Sequence, residues 1–195
     1  LQLKEEDYLW TRIRNKKIFY SLDTFFQTNL SILPSVFERL EALKILSKET
    51  TFFDLYGGVG LFGIGLSDLV QKVILIEECI ASIKLARYNV NINQLKNVEI
   101  IEGMVEDKLS SALTQETLSN VAFLDPPRAG LSEKALNVLK EAKTLKHILY
   151  LSCGPENLVQ DLAEFVSSGW QIEKIMPFDF FPKTKRLEVL AVLKP

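Results

Sequence analysis

The chain alternates short apolar runs with segments whose apolar residues recur at helical spacing. Runs rich in β-branched and aromatic residues predict strands at residues 50–55, 72–77, 98–102, 120–125 and 147–152. Between them, apolar residues three and four apart predict helices through Ile83, Ala86 and Val90, through Leu131, Ala135, Val138 and Leu139, and through Leu158, Leu162 and Val166. Such alternation is typical of an α/β fold, in which helices cover both faces of a parallel sheet.

Two strand-like runs near the carboxyl end interrupt this alternation. Residues 170–178 and 186–194 are joined only by DFFPKTK, whereas a parallel crossover needs about a dozen residues or more. The last strand is therefore predicted to pair antiparallel. Five strand–helix units closed by such a hairpin are the layout of class I S-adenosylmethionine-dependent methyltransferases, a Rossmann-like fold with a seven-stranded, mostly parallel sheet. Another hairpin is predicted within residues 8–22, turning at Asn15–Lys16.

Composition is that of an ordinary globular domain. Of 195 residues, 47% are hydrophobic and 25% are charged. Because no apolar run approaches the roughly 18 residues of a membrane span, we expect a soluble protein. Two cysteines cannot form a disulfide framework, so we expect the reducing cytoplasm as its location. We also expect a monomer. Two cysteines, Cys79 and Cys153, and one histidine are too few for a zinc or iron–sulfur site, so we expect no metal. The formal charge of −2 neither suggests nor excludes an RNA partner.

A glycine-rich loop follows the first predicted sheet strand. Gly58, Gly60 and Gly63 satisfy G-x-G-x-x-G, a pattern that also occurs in plain strand-to-helix turns. Glu77 ends the next strand, 19 residues after Gly58, where a carboxylate can accept hydrogen bonds from ribose hydroxyls. Asp54, just before the glycines, suits a cationic sulfonium better than a pyrophosphate. Together these residues favour S-adenosylmethionine over a dinucleotide.

A stiff loop, DPPR, follows the fourth predicted strand and begins at Asp125. Its two prolines fix φ and remove two amide donors, which suits the wall of a cofactor or base pocket. A rigid turn with a solvated arginine is the alternative. Many amino-group methyltransferases carry an aromatic residue after the two prolines. Arg128 stands there instead, which argues against methylation of an amine.

Cys153 lies where the fifth predicted strand ends and a helix begins near Pro155. A helix N-terminus favours a thiolate, although Glu156 partly opposes this. Since free cysteines are usually small buried hydrophobes, position alone leaves both readings open. Cys79 follows two glutamates and is expected to serve packing or to lie at the surface. Methylation of carbon 5 of uracil requires a cysteine that adds to carbon 6 and a base that removes the carbon 5 proton.

Six motifs resemble one family over essentially the whole chain. They are TFFQTN (24–29), DLYGGVGLF (54–62), LIEE (75–78), LDPPRAG (124–130), LSCGPENLVQD (151–161) and FDFFPKTKRLEVLAVL (178–193). In this order they are similar to the RNA (uracil-5-)-methyltransferases, which form 5-methyluridine in bacterial 23S ribosomal RNA and in transfer RNA. The resemblance implies an RNA substrate, with 23S ribosomal RNA favoured, and S-adenosylmethionine as the methyl donor.

The resemblance also implies roles for individual residues. Cys153 corresponds to the nucleophile and Glu188 to the base that takes the carbon 5 proton. The implied cofactor-binding residues are Gln27, Tyr56, Gly58, Gly60, Leu61, Glu77 and Asp125. Residues 1–23 are expected to be a hairpin remnant of the family's central domain, and residues 24–195 the catalytic domain. The chain does not begin with methionine, and we expect it to be part of a longer protein; the RNA-binding barrel usual in the family has no counterpart in these residues.

The chain departs from the family pattern at Gly57, Leu61, Gly154 and Arg186. The first three should adjust packing and cofactor contacts. Arg186 replaces a histidine two positions before the implied base, and its charge is expected to favour anionic Glu188 or to contact a phosphate. The alternatives are methylation of cytosine carbon 5 or of a guanine amine, a nicotinamide-dependent oxidoreductase, and a non-catalytic RNA-binding module.

Overall fold

The structure, a computed structural model, describes residues 8–114 and 119–195. The strands are β1 (Leu9–Ile13), β2 (Lys16–Tyr20), β3 (Thr50–Leu55), β4 (Lys72–Glu77), β5 (Val98–Glu102), β6 (Ser119–Leu124), β7 (Leu145–Ser152), β8 (Gln171–Phe178) and β9 (Glu188–Lys194). The helices are α1 (Leu33–Ala42), α2 (Leu61–Leu66), α3 (Ile80–Ile92), α4 (Val105–Thr114), α5 (Glu133–Glu141) and α6 (Pro155–Ser167). Strands β3, β4 and β5 have the predicted bounds, and the other predicted strands shift by one or two residues at an end.

Seven of the described strands form one sheet in the order β5-β4-β3-β6-β7-β9-β8. Strands β3 to β7 pair parallel, whereas β9 pairs antiparallel with both β7 and β8. The α/β sheet closed by an antiparallel hairpin is thus confirmed. Strand order reverses between β3 and β6, and ligands of open α/β sheets bind at the carboxyl ends of the strands beside such a reversal.

The sheet is covered on both faces, so its strands are apolar almost throughout. Phe52 and Val121 face a layer that contains α1, α2, α3 and the β1–β2 hairpin. Phe53 and Ala122 face the opposite layer, which contains α4, α5 and α6. Burial of a large apolar side chain stabilises a fold by roughly 1.5–3 kcal/mol. The two layers therefore hold the carboxyl edge of the sheet rigidly in place.

Two helices were not predicted as separate elements. Helix α1 buries Leu33, Val36, Phe37 and Leu40, which recur at helical spacing. It precedes the first strand of the main sheet, so strand–helix alternation did not require it. Helix α4 buries Val105, Leu109, Ala112 and Leu113 in the same way. The turn of the first hairpin lies at Arg14–Asn15, one residue before the predicted position, and Arg14 adopts a left-handed φ of 54°.

The β1–β2 hairpin docks on α3 through asparagine side chains. Asn89, fully buried, accepts a hydrogen bond from the Phe19 amide at 2.8 Å and donates to the carbonyls of Phe19 at 3.0 Å and Val59 at 2.9 Å. Asn93 bonds the amide and carbonyl of Lys17 in the same manner. The hairpin and the seven-stranded sheet thus share a core. The division at residues 23 and 24 stays a prediction, and residues 1–7 lie outside the described residues.

Replacing Asn89 tests this docking. We expect Asn89→Ala to lower the free energy of unfolding by about 2–4 kcal/mol, because it leaves buried backbone groups of Phe19 and Val59 without partners. Denaturant unfolding followed by circular dichroism measures the change. Asn91→Ala, on the exposed side of the same helix, is the matched control. Equal losses of stability in the two variants would contradict this account of the docking.

Candidate active site

A cleft lies at the carboxyl ends of β3 and β6. Leu55 and Leu124 are paired in the ladder, so Tyr56 and Asp125 leave the sheet side by side. The cleft is lined by Phe25, Phe26, Gln27, Asp54, Tyr56, Gly57, Gly58, Val59, Leu61, Phe62 and Asp125. Five of the residues expected to bind cofactor are in this set. Gly60 and Glu77 are not.

The segment after β2 supplies one wall of the cleft. The ring of Phe26 stacks on Tyr20 with 4.1 Å between centroids, and Asn29 donates to the Phe180 carbonyl at 3.1 Å. These contacts hold the intervening Gln27, whose side chain donates to Oδ2 of Asp125 at 2.9 Å. Gln27 and Asp125 therefore act as one hydrogen-bonded unit.

Glu77 contacts the glycine loop directly from the end of β4. Its Oε2 accepts from the Gly58 amide at 2.8 Å, and its Oε1 accepts from the Cys79 amide at 2.7 Å. Gly60 caps α2 with a φ of 90°, and a Cβ there would lie 2.5 Å from Cδ1 of Ile64. Gly60 therefore serves the turn and its packing, whereas Glu77 places a carboxylate beside the cleft.

Two aspartates of the cleft have raised pKa values. Asp54 is buried, which raises its pKa to about 8, although a 2.7 Å hydrogen bond from the Gly63 amide opposes the rise. Desolvation raises the pKa of Asp125 to about 7, opposed by the bond from Gln27. The anionic character expected of Asp54 is thus weakened by burial. A cationic group in the cleft would lower both pKa values again.

Strand pairing brings Cys153 and Glu188 to the same edge of the sheet. The β7–β9 ladder ends with Ser152 opposite Val189. Cys153 follows Ser152 in the sequence, and Glu188 precedes Val189. Cys153 is partly exposed, and Glu188 is 4% exposed. The nucleophile and the base implied by the resemblance therefore both lie at the end of the β7–β9 ladder.

Glu188 lies in a setting that disfavours its charge. Burial, and then the charge of Asp125, raise its pKa to about 8. Among residues 8–114 and 119–195, its Oε2 has no hydrogen-bond partner. The expectation that Arg186 would favour the anion is wrong: Arg186 is exposed, and the pKa of Glu188 rises rather than falls.

Cys79 is exposed, in keeping with a packing or surface role. It caps the N-terminus of α3, where the Ser82 amide lowers the pKa of its thiol.

Sequence reasoning missed Asp161, which joins the loops around the site. It lies on the buried face of α6 with Leu158, Leu162 and Phe165. An acid at the helical spacing of an apolar stripe was the available signal, because a buried carboxylate needs partners.

Neither a metal site nor a membrane span was found in the part of the chain that the structure describes. It contains no group of three or more His, Cys, Asp or Glu residues that could hold a metal ion. None of its helices is both long enough and apolar enough to cross a bilayer.

The raised pKa of Glu188 has a measurable effect on stability. The folded chain binds this proton with a pKa of about 8, against an ordinary value of 4.5. The proton on Glu188 therefore stabilises the folded state. This stabilisation is complete below the ordinary pKa of 4.5 and is lost as pH rises through the folded-state pKa of about 8. We expect Glu188→Gln to reduce the loss of unfolding free energy between pH 5 and about 8.5 by an amount on the order of a few kcal/mol. Urea unfolding at each pH measures it.

Glu38→Gln, an exposed change on α1, is the control for this measurement. It should leave the pH dependence of stability unchanged. If Glu188→Gln loses as much stability with rising pH as the wild type and Glu38→Gln do, Glu188 does not carry the raised pKa.

Comparison with known proteins assigns the family. The model of the tRNA (uracil-5-)-methyltransferase family matches residues 3–194. An uncharacterized RNA methyltransferase of Lactobacillus johnsonii is 35% identical over 195 residues, covering 99% of this chain and 42% of that protein. Another, of Thermotoga maritima, is 34% identical over 171 residues, covering 87% of this chain and 38% of that protein. The chain thus spans about two fifths of the length of these relatives.

Solved structures share the fold. The tRNA (uracil-54, C5)-methyltransferase of Pyrococcus abyssi, in complex with S-adenosyl-L-homocysteine, matches with a TM-score of 0.74 and 26% identity, covering 96% of this chain and 44% of that one. A tRNA methyltransferase of M. jannaschii has a TM-score of 0.62 at 13% identity, covering 98% and 57%, and shows the fold alone. The predicted class I methyltransferase fold is confirmed. By its match over nearly the whole sequence, the chain belongs to the tRNA (uracil-5-)-methyltransferase family.

Proposed function

We propose that this chain transfers a methyl group from S-adenosylmethionine to carbon 5 of a uridine in RNA. The observation that carries the proposal is the cross-strand placement of Cys153 and Glu188 at the edge of the sheet that also holds the cleft. Pyrimidine methylation at carbon 5 needs both a nucleophile and a base. Membership of the family supports the same reaction.

The donor groups around the cleft suit an adenosine-containing sulfonium cofactor. Glu77 offers carboxylate oxygens for ribose hydroxyls, while Gln27, Tyr56, Gly58, Leu61 and Asp125 would line the bound molecule. Asp54 and Asp125 would regain their charge beside a cation, which favours a sulfonium there. S-adenosylmethionine supplies the methyl group, leaving S-adenosylhomocysteine. The Pyrococcus abyssi relative, solved with S-adenosylhomocysteine, supports this choice.

The residues of the chain divide the chemistry between them. The Cys153 thiolate adds to carbon 6 of an unstacked uracil, and the electron pair of the carbon 5–carbon 6 double bond makes carbon 5 nucleophilic. After carbon 5 gains the methyl group, Glu188 removes its proton. The freed electron pair restores the double bond and expels Cys153 as a thiolate. A base with a pKa of about 8 is well matched to proton abstraction near neutral pH.

Cys153→Ala tests the nucleophile with RNA containing 5-fluorouridine. Because the fluorinated carbon has no removable proton, we expect the wild-type protein, given S-adenosylmethionine, to accumulate an adduct that survives denaturing electrophoresis. Cys153→Ala should abolish the adduct, and the control Cys79→Ala should retain it. An adduct of undiminished amount in Cys153→Ala would overturn the assignment.

Details of the site favour uridine over the competing substrates. Exposed Arg128 stands where amine methyltransferases place an aromatic residue. Cytosine methyltransferases use a second functional cysteine, whereas Cys79 lies at the N-terminus of α3, beside Glu77. Hydride transfer by a nicotinamide-dependent oxidoreductase does not require a cysteine and a glutamate at the end of two paired strands. A non-catalytic RNA-binding module would not need the pair either.

For the target RNA we propose 23S ribosomal RNA, with transfer RNA as the alternative that the Pyrococcus abyssi relative's substrate supports. Mass spectrometry of nucleosides from each RNA of a strain lacking the parent gene distinguishes the two. We expect 5-methyluridine to fall in 23S ribosomal RNA and to persist in transfer RNA. A strain carrying only the Cys153→Ala allele should show the same loss. Loss confined to transfer RNA would reassign the substrate. A cytoplasmic, monomeric protein remains part of this proposal.

A further inference from the structure

Two loops at the carboxyl edge of the sheet carry the residues assigned to the reaction. The proline loop, residues 125–131, begins with Asp125 at the end of β6. The cysteine loop, residues 152–154, holds Cys153 between β7 and α6. The chemistry proposed above requires a fixed distance between a wall of the cleft and the attacking sulfur. The residues assigned so far do not explain what sets that distance.

Asp161 joins the two loops from the buried face of α6. Its Oδ2 accepts a hydrogen bond from the hydroxyl of Tyr150 at 2.6 Å and another from the Leu131 amide at 3.2 Å. Tyr150 is fully buried on β7, three residues before Cys153, and Leu131 ends the proline loop. One carboxylate oxygen thus ties the strand that leads into the cysteine loop to the far end of the proline loop.

The proline loop also lies close to the start of α6 and to Gly154. Asn157, on the first turn of α6, donates to the Arg128 carbonyl at 2.8 Å. A Cβ at position 154 would lie 2.8 Å from that same carbonyl oxygen, closer than side chains tolerate. Gly154, which departs from the family pattern, is therefore what allows this approach. The cysteine loop and the proline loop pack as one unit.

The bond between Tyr150 and Asp161 is well suited to hold a fixed geometry. Burial, followed by the hydrogen bond to Asp161, raises the pKa of the Tyr150 phenol, so it stays a neutral donor over the whole physiological range. Buried hydrogen bonds to a charged acceptor are stronger than neutral ones.

We propose that Asp161 and Tyr150 are positioning residues, which lock the proline loop to the cysteine loop so that Asp125 and Cys153 keep one arrangement during methyl transfer. This inference rests on the proposed function for its catalytic consequence. A misplacement of about 1 Å at a reacting group can slow a reaction roughly 100-fold. The lock therefore acts on the rate of adduct formation, whereas Glu77 holds the glycine-loop side of the cofactor cleft without it.

The test compares Asp161→Ala with Asp161→Asn in the protein as its gene encodes it. Alanine removes both hydrogen bonds, whereas the asparagine oxygen can still accept from Tyr150 and Leu131. At saturating S-adenosylmethionine and 5-fluorouridine RNA, we expect Asp161→Ala to form adduct about 30–100-fold more slowly, with the Kd for S-adenosylhomocysteine within about threefold of wild type. Asp161→Asn should recover most of the rate. Tyr150→Phe added to Asp161→Ala should have little further effect.

Trp170→Phe is the structural control. It removes the 3.3 Å bond from the Trp170 indole to the Lys140 carbonyl in the same apolar layer, without touching either loop. Rates are compared below the unfolding midpoint of every variant. An Asp161→Ala rate no lower than that of Trp170→Phe would overturn the positioning role, as would an Asp161→Asn rate as low as that of Asp161→Ala.

Hydrogen exchange separates failure of the lock from failure of the proposed function. We expect Asp161→Ala to speed exchange at the Leu131 amide while the glycine loop, residues 57–63, exchanges as in wild type. If the wild-type protein forms no adduct but this exchange result holds, the proposed function fails and the lock stands. If adduct forms in wild type and exchange at Leu131 is unchanged in Asp161→Ala, the lock fails and the function stands.

Discussion

Parallel pairing between β3 and β6 brings together the ends of two strands that are far apart in sequence, and the site depends on it. The pair Leu55–Leu124 closes the ladder, after which the chains diverge into the glycine loop and the proline loop. Helices then leave on opposite faces, so a cleft opens between them. Strand β4 adds Glu77 on one side of this cleft, and β7 with β9 add Cys153 and Glu188 on the other.

The same edge of the sheet contains several carboxyl groups that are less well solvated there than they would be in water. Asp54, Asp125 and Glu188 each have a raised pKa, and burial is the first cause in every case. The apolar residues of both layers offset this unfavourable desolvation. Raised pKa values that cluster at one edge of an otherwise well-packed sheet are typical of a functional site.

The hydrophobic pattern predicted the architecture well, because each central strand is buried on both faces and its apolar run marks its length. Five of the seven residues that the motif resemblance implies for cofactor binding line the cleft. The resemblance could not identify Asp161, Asn157 or Asn89, whose partners are backbone groups and side chains that only the fold brings near. The placement of Cys153 and Glu188 at the end of one ladder likewise follows from the antiparallel register of β7 and β9. The expectation that Arg186 would favour the anionic form of Glu188 was wrong, because burial raises the pKa of Glu188 despite a positive charge nearby in the sequence.

Asn89 gives the first hairpin a connection to the cleft that the sheet does not provide. One amide nitrogen on α3 donates to Phe19 in the hairpin and to Val59 in the glycine loop. A shift of either carbonyl changes the geometry of the other bond. The docking of the hairpin and the conformation of the glycine loop are therefore thermodynamically linked: ordering the loop favours docking of the hairpin by the same coupling free energy with which docking favours the ordered loop.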